Sequence, residues 1–107
     1  MSSQSAPAIF SRRMKALRLA LGISQAELGR RMNLPEDVAS TRINRYERGV
    51  HLPDLETAER MAEALGVPLP YLLAKDERLA QAILGFSSLS KQAQDKILSE
   101  IQAAQKK

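Results

Sequence analysis

The stretch ISQAEL, residues 23–28, fixes a helix start more tightly than any other six residues of the chain. Ser24 and Glu27 have the S-x-x-E spacing of a capping box, in which each side chain satisfies a backbone N–H that the helix start leaves unpaired. Ile23 and Leu28 occupy the two positions of a hydrophobic staple, which fixes the entry of the chain by apolar contact. A helix therefore begins at Gln25 and runs to about Met32. Just before it, Phe10, Met14, Leu17 and Leu21 recur at i, i+4, i+7 and i+11, one stripe of a first helix, and Gly22 follows directly. Glycine takes the left-handed conformation that ends helices at little cost. The chain is thus committed to short helices with marked starts and stops.

The same punctuation continues. Asn33 and Pro35 interrupt the second helix, since asparagine tolerates the left-handed conformation and proline cannot continue a helix unstrained. A third helix follows over residues 38–47 and Gly49 ends it. Pro53 and Asp54 open a fourth, with Leu55, Ala58, Met61, Ala62 and Leu65 on one stripe and Gly66 after them. VPLPYLLA gives a short fifth helix. Beyond it, Leu79, Ile83 and Phe86 share one side of a sixth before Gly85 and two serines mark a break. Ser90 caps a last helix, with Ala93, Ile97, Ile101 and Ala104 in line and Leu98 widening the stripe. No window shows the period-2 alternation of β-branched residues that strands require, so the fold class is all-α. Gly29 inside the second helix costs about 1 kcal/mol against alanine. Its presence makes sense where another helix must come very close; plain tolerance is the alternative.

Composition narrows the classes. A chain of 107 residues makes one domain with an appendage rather than two full domains. The reading is a flexible lead over residues 1–8, a domain over 9–74 and a helical extension over 75–107. The absence of cysteine removes disulfide scaffolds and thiolate metal sites. No apolar run approaches the ~20 residues that span a bilayer, and the N-terminus lacks the long apolar core of a signal peptide, so a cytoplasmic protein is expected. Charge is one-sided. Residues 1–50 carry nine basic groups against four acidic, a net of +5, and residues 51–107 carry seven against eight, a net of −1. A basic half raises the odds of a polyanionic partner.

The third helix has two faces. Ala39, Ile43 and Tyr46 are spaced i, i+4, i+7 and form an apolar one; Thr41, Asn44, Arg45 and Arg48 form a polar one. The sets are offset by two residues, about 200° around the axis. One side packs while the other offers guanidinium, amide and hydroxyl groups, which can read base edges: arginine for guanine, asparagine for adenine. By itself this is also what an ordinary wet amphipathic helix looks like.

Its surroundings carry more. SQAELG, then I-x-x-Y-E-x-G, then a proline, then L-x-x-A-x-x-M-A-x-A-L-G-V occur in that order. Together they resemble the Cro/cI-type, XRE-like helix-turn-helix family of phage-repressor-like transcriptional regulators, over residues 10–74. The resemblance implies a five-helix lambda-repressor-like DNA-binding domain whose third helix lies in the major groove of a double-stranded DNA operator, carried here with a short helical C-terminal extension. It implies base contacts from Arg45, Asn44, Thr41, Arg42 and Ser40. It implies backbone contacts from Gln25, which also braces base-contacting side chains beside a helix N-terminus favourable to phosphate, and from Arg48. Arg12, Arg13 and Lys15 of the first helix are read as further phosphate contacts, with solvated surface charge the alternative for each. Arg18 and Glu47 are implied to form a structural ion pair.

One departure stands out. Between Leu28 and Gly49 the chain has four residues more than the family pattern, within NLPEDVAS. Either the turn between the two helices is lengthened or the third helix gains an N-terminal turn. Both change the reach of Ser40 and Thr41, whereas Arg45 is anchored from its C-terminal side. Glu36 and Asp37 would repel a phosphate, so the insert is expected to point away from DNA.

Enzyme chemistry finds no footing. His51 is the single histidine and sits in a turn, metal-ligand spacing is absent, no nucleophile elbow or phosphate-binding loop occurs, and no cofactor or small-molecule ligand is indicated. Four aromatics, Phe10, Tyr46, Tyr71 and Phe86, leave little for stacking RNA bases. The apolar stripe of the tail needs a cover: its own domain, or a second copy in a homodimer matching a two-fold operator. The leading expectation is a repressor. An antitoxin or a restriction-system controller uses the same fold, and a protein-interaction module working through its tail is the reading from another class.

Overall fold

The computed structural model describes residues 5–106, and among them there are seven helices and no strand. In chain order they are α1 (Ala6–Leu21), α2 (Gln25–Arg31), α3 (Ala39–Arg48), α4 (Leu55–Leu65), α5 (Leu69–Leu73), α6 (Glu77–Ser87) and α7 (Lys91–Gln105). Among the described residues, no helix is long and apolar enough to cross a membrane.

Side-chain caps set most starts. Ser5, Ser24, Asp54, Asp76 and Ser90 each accept a backbone N–H from the first turn that follows. Of the lead expected over residues 1–8, residues 5–8 belong to the start of α1, where Ser5 is the cap and Pro7 sits in the first turn; residues 1–4 lie outside the described residues. The box at α2 closes by half only. Ser24 Oγ accepts from Glu27 N at 3.0 Å, but the Glu27 carboxylate turns to Arg30 and, at 3.0 Å, to Arg31. Two arginines one turn on offer charge-assisted bonds, which outcompete the neutral N–H of Ser24. These arginine bonds, led by that of Arg31, hold the Glu27 carboxyl below the usual carboxylate range.

The core lies among α1–α5. Ile9, Met14, Leu28, Met32, Ile43, Met61 and Leu72 are fully buried there. The four extra residues lengthen the turn and add nothing to α3, which begins at Ala39. Asn33 takes φ 61° and Val38 N bonds Pro35 O at 3.1 Å, so residues 32–38 coil compactly between the helices. Gly29 answers to a close approach: a Cβ there would stand 2.5 Å from Ala39 Cβ. That contact brings α2 and α3 together at the point where α3 begins.

The two C-terminal helices differ from this body. α6 buries one residue, Ala80, and α7 buries none. The sixth helix runs through Gly85, and the break falls at Ser88 and Leu89. The radius of gyration is 15.8 Å, against ~13 Å for a compact chain of this length. The molecule is elongated, with principal extents of 53 × 33 × 23 Å.

Candidate nucleic-acid interface

α3 docks on the body by Ala39, Ile43 and Tyr46, all buried, and turns Ser40, Thr41, Arg45 and Arg48 outward, where they are exposed. Arg42 and Asn44 are half-buried at its flanks. The helix is pinned from α1 as well, where the buried Ser11 Oγ donates to Tyr46 O at 2.7 Å.

Beneath the outer face runs a hydrogen-bonded chain. Arg18 Nε donates to Glu47 Oε2 at 2.5 Å and Nη2 to Oε1 at 3.2 Å, a two-point contact between side chains 10% and 3% exposed. Arg18 Nη1 also donates to Ile23 O at 2.9 Å. Gln25 completes the arrangement. Its Nε2 donates to Glu47 Oε1 at 3.1 Å and to Asn44 Oδ1 at 3.2 Å, while its Oε1 accepts from Ser40 Oγ at 3.4 Å. Both N–H groups and the carbonyl of one amide are therefore in use. The outward residues Ser40 and Asn44 are tied through Gln25 to a buried ion pair, which limits their rotamers. Beyond its bond from Gln25, Asn44 has amide N–H groups and one Oδ1 lone pair to offer.

The arginines are unequal. Arg42 Nη2 donates to the Tyr46 hydroxyl at 3.2 Å, so part of its fork is spent on its own helix. Arg45 and Arg48 make no ion pair or side-chain hydrogen bond within the described residues. Thr41, Arg42 and Arg45 line one cleft with His51 and Asp54. Asp54 is held below the usual carboxylate range chiefly by the Thr57 N–H bond of its cap, with smaller help from the charges of Arg60 and Arg42. Arg12 and Arg48 border a separate concavity beside Gly49, and Lys15 is exposed on α1.

Arg13 corrects the sequence expectation. It is 5% exposed, and its guanidinium faces inward. Nη1 donates to Tyr71 O at 3.1 Å and to Ala74 O, Nη2 pairs with Glu77 Oε1 at 2.9 Å, and the group lies 5.3 Å from the Tyr71 ring centroid. A guanidinium so occupied is not available to a phosphate. A signal for this existed: Arg13 follows Ile9 by four residues and precedes Met14, on the buried side of α1.

An all-helical body whose second helix braces the polar outer face of the third is a helix-turn-helix domain. The comparisons agree. The Helix-turn-helix family pattern matches residues 14–72, more than half of the chain, and the chain belongs to that family. No curated protein is significantly similar to it. Among solved structures, the transcriptional regulator BswR is similar at 38% identity and a TM-score of 0.79, over 87% of this chain and 92% of that one. A share that large reaches past the helix-turn-helix domain into the arm.

Proposed function

We propose that the chain is a sequence-specific, duplex-DNA-binding transcriptional regulator that acts in the cytoplasm as a homodimer and represses by occupying its operator. The observation that carries the reading is the braced outer face of α3, where Gln25 holds Ser40 and Asn44 from below and Arg45 stands free beside them. The similarity to a transcriptional regulator supports the regulatory role.

In this reading α3 enters the major groove. Arg45 reads a guanine through its two-donor edge, Asn44 an adenine, and Thr41, Ser40 and Arg42 meet neighbouring positions. Arg42 contributes with the donors that Tyr46 leaves to it. Gln25, Arg48, Arg12 and Lys15 contact the phosphate backbone, which fixes register without carrying sequence information. A second copy covers the arm's stripe of Ile97, Leu98 and Ile101, which are 37–49% exposed in the single chain. Two-fold proteins match paired half-sites ~34 Å apart, or multiples of that.

Selection of bound duplexes from a random pool tests the whole reading. A recurring paired motif is expected, with affinity falling as log K against log[salt] at a slope near −0.9 per phosphate neutralised. Salt-insensitive or absent retention on DNA would favour an interaction module instead. Arg45→Ala should relax choice at one base pair by ~1–3 kcal/mol, whereas Arg48→Ala should weaken all sequences alike. Removal of residues 87–107 should leave a monomer in solution and weaken operator binding; a truncated chain that is still dimeric and binds its operator as tightly contradicts dimerisation through the arm.

A further inference from the structure

The body and the arm are joined by a short connection. Between α5 and α6 lie only Ala74, Lys75 and Asp76, and the Arg13 guanidinium sits across this hinge. Two of its acceptors, Tyr71 O and Ala74 O, are at the C-terminal end of α5; the third, Glu77, opens α6. The last carbonyls of a helix have no partner within it, and arginine's planar fork can satisfy two of them while holding a carboxylate. α1, which carries Arg13, is also bolted to the recognition helix: Ser11 bonds Tyr46 O and Arg18 pairs with Glu47. A single helix thus fixes both the DNA-facing surface and the base of the arm.

Small rotations at such a hinge are amplified. The 11 residues of α6 span ~16 Å at 1.5 Å per residue. A turn of about 12° at its base moves the far end by about 3.4 Å, the rise of one base pair. With two copies joined through their arms, this angle determines how far apart the two recognition helices stand.

We propose that Arg13 is a positioning residue that sets the angle of the α6–α7 arm to the α3 face, and through it the half-site spacing that the protein accepts. The inference rests on the homodimer reading above. Glu77 is the hinge's adjustable member: its side chain is 66% exposed while that of Arg13 is 6% exposed. Lysine at position 13 keeps the charge but presents no fork, so it cannot hold both sides of the hinge together.

The test uses the full chain and duplexes enriched by it from a random pool, remade with one base pair inserted or removed between half-sites, together with single half-sites. The native protein is expected to disfavour the altered spacings by roughly tenfold, the scale of a DNA deformation cost near 1.4 kcal/mol. Arg13→Lys should remain dimeric, bind a single half-site as the native chain does, and accept the altered spacings almost equally. A variant with undiminished spacing discrimination overturns the role of Arg13 and leaves the dimer standing. So does a loss of single half-site affinity matching the loss on the full site, which marks a residue acting through the fold alone. A native chain that is monomeric in solution and selects unpaired sites overturns the dimer reading first. Should Arg13→Lys fail to fold, Glu77→Ala carries the same readout with the same expected and overturning results.

Discussion

The five-helix body and the two-helix arm are built from similar material and end differently. In the body, the stripes of α1, α2, α3, α4 and α5 converge, and Met14, Leu28, Ile43, Met61 and Leu72 reach zero exposure. In the arm, α7 is as regular a helix as α1 and nearly as long, yet buries nothing. A helix of 15 residues draws most of its stability from packing, and the apolar face of α7 is only partly covered, by α6. Burial is thus concentrated in the body, while the arm leaves an apolar face half-covered.

Four measurements can break or sharpen that contrast. The largest effect is expected at Glu47→Ala, which strands the buried Arg18 guanidinium and should cost ~3–5 kcal/mol by urea unfolding. Arg45→Ala, exposed on the same helix, should stay within ~0.5 kcal/mol. Equal melting temperatures for the two would remove the structural role of the pair. Next, Met61→Ala should cost ~2–5 kcal/mol. Ile101→Ala, measured where the chain is dilute enough to be monomeric, should change stability by less than ~0.5 kcal/mol while weakening self-association. If the dilute Ile101 variant lost as much as the Met61 variant, body and arm would form one cooperative core and the contrast would fail.

Gly29→Ala comes third. The added methyl overlaps Ala39 at the junction of α2 and α3, for an expected cost of ~1–3 kcal/mol, and Gly29→Ala combined with Ala39→Gly should recover part of it. Gly85→Ala in the arm, where a Cβ meets nothing, should be neutral or slightly stabilising by thermal melting. The smallest effect is that of pH. Asp54 and Glu77 titrate below their ordinary values, Asp54 chiefly through the Thr57 N–H and Glu77 chiefly through the Arg13 hydrogen bond. Each favours the fold above the usual carboxylate range, a contribution lost as pH falls through the lowered value. The melting temperature should be flat from pH 7 to about 5 and decline below about 4, the decline being shallower in Glu77→Gln.

Much of the fold was legible because its signals are local. Ser24 as a cap, Asp54 at a helix start, Asn33 as a left-handed residue and Gly49 as a stop each depend on a few bonds along the chain, and each stands where the sequence placed it. The inner and outer faces of α3 follow from period alone. At the candidate site, the Arg18–Glu47 pair and the bracing by Gln25 followed from the resemblance, since both link residues far apart in sequence. Arg13 was misread because an arginine on a basic helix has the same local signature whether its partner is water or carbonyls 58 and 61 residues away. Glu27 was half-read, because its spacing to Ser24 says nothing of the two arginines competing for it.

By itself, then, the sequence determined most helix starts and stops and which face of each helix is apolar. Those properties are set by backbone sterics and by bonds within one or two turns. Only the tertiary structure decided that the insert coils as a turn, that Gly29 lies under Ala39, that Arg13 bridges the end of α5 and the start of α6, and that α7 buries no residue. These depend on which surfaces meet in three dimensions, and contacts between residues tens of positions apart leave no periodic trace along the chain.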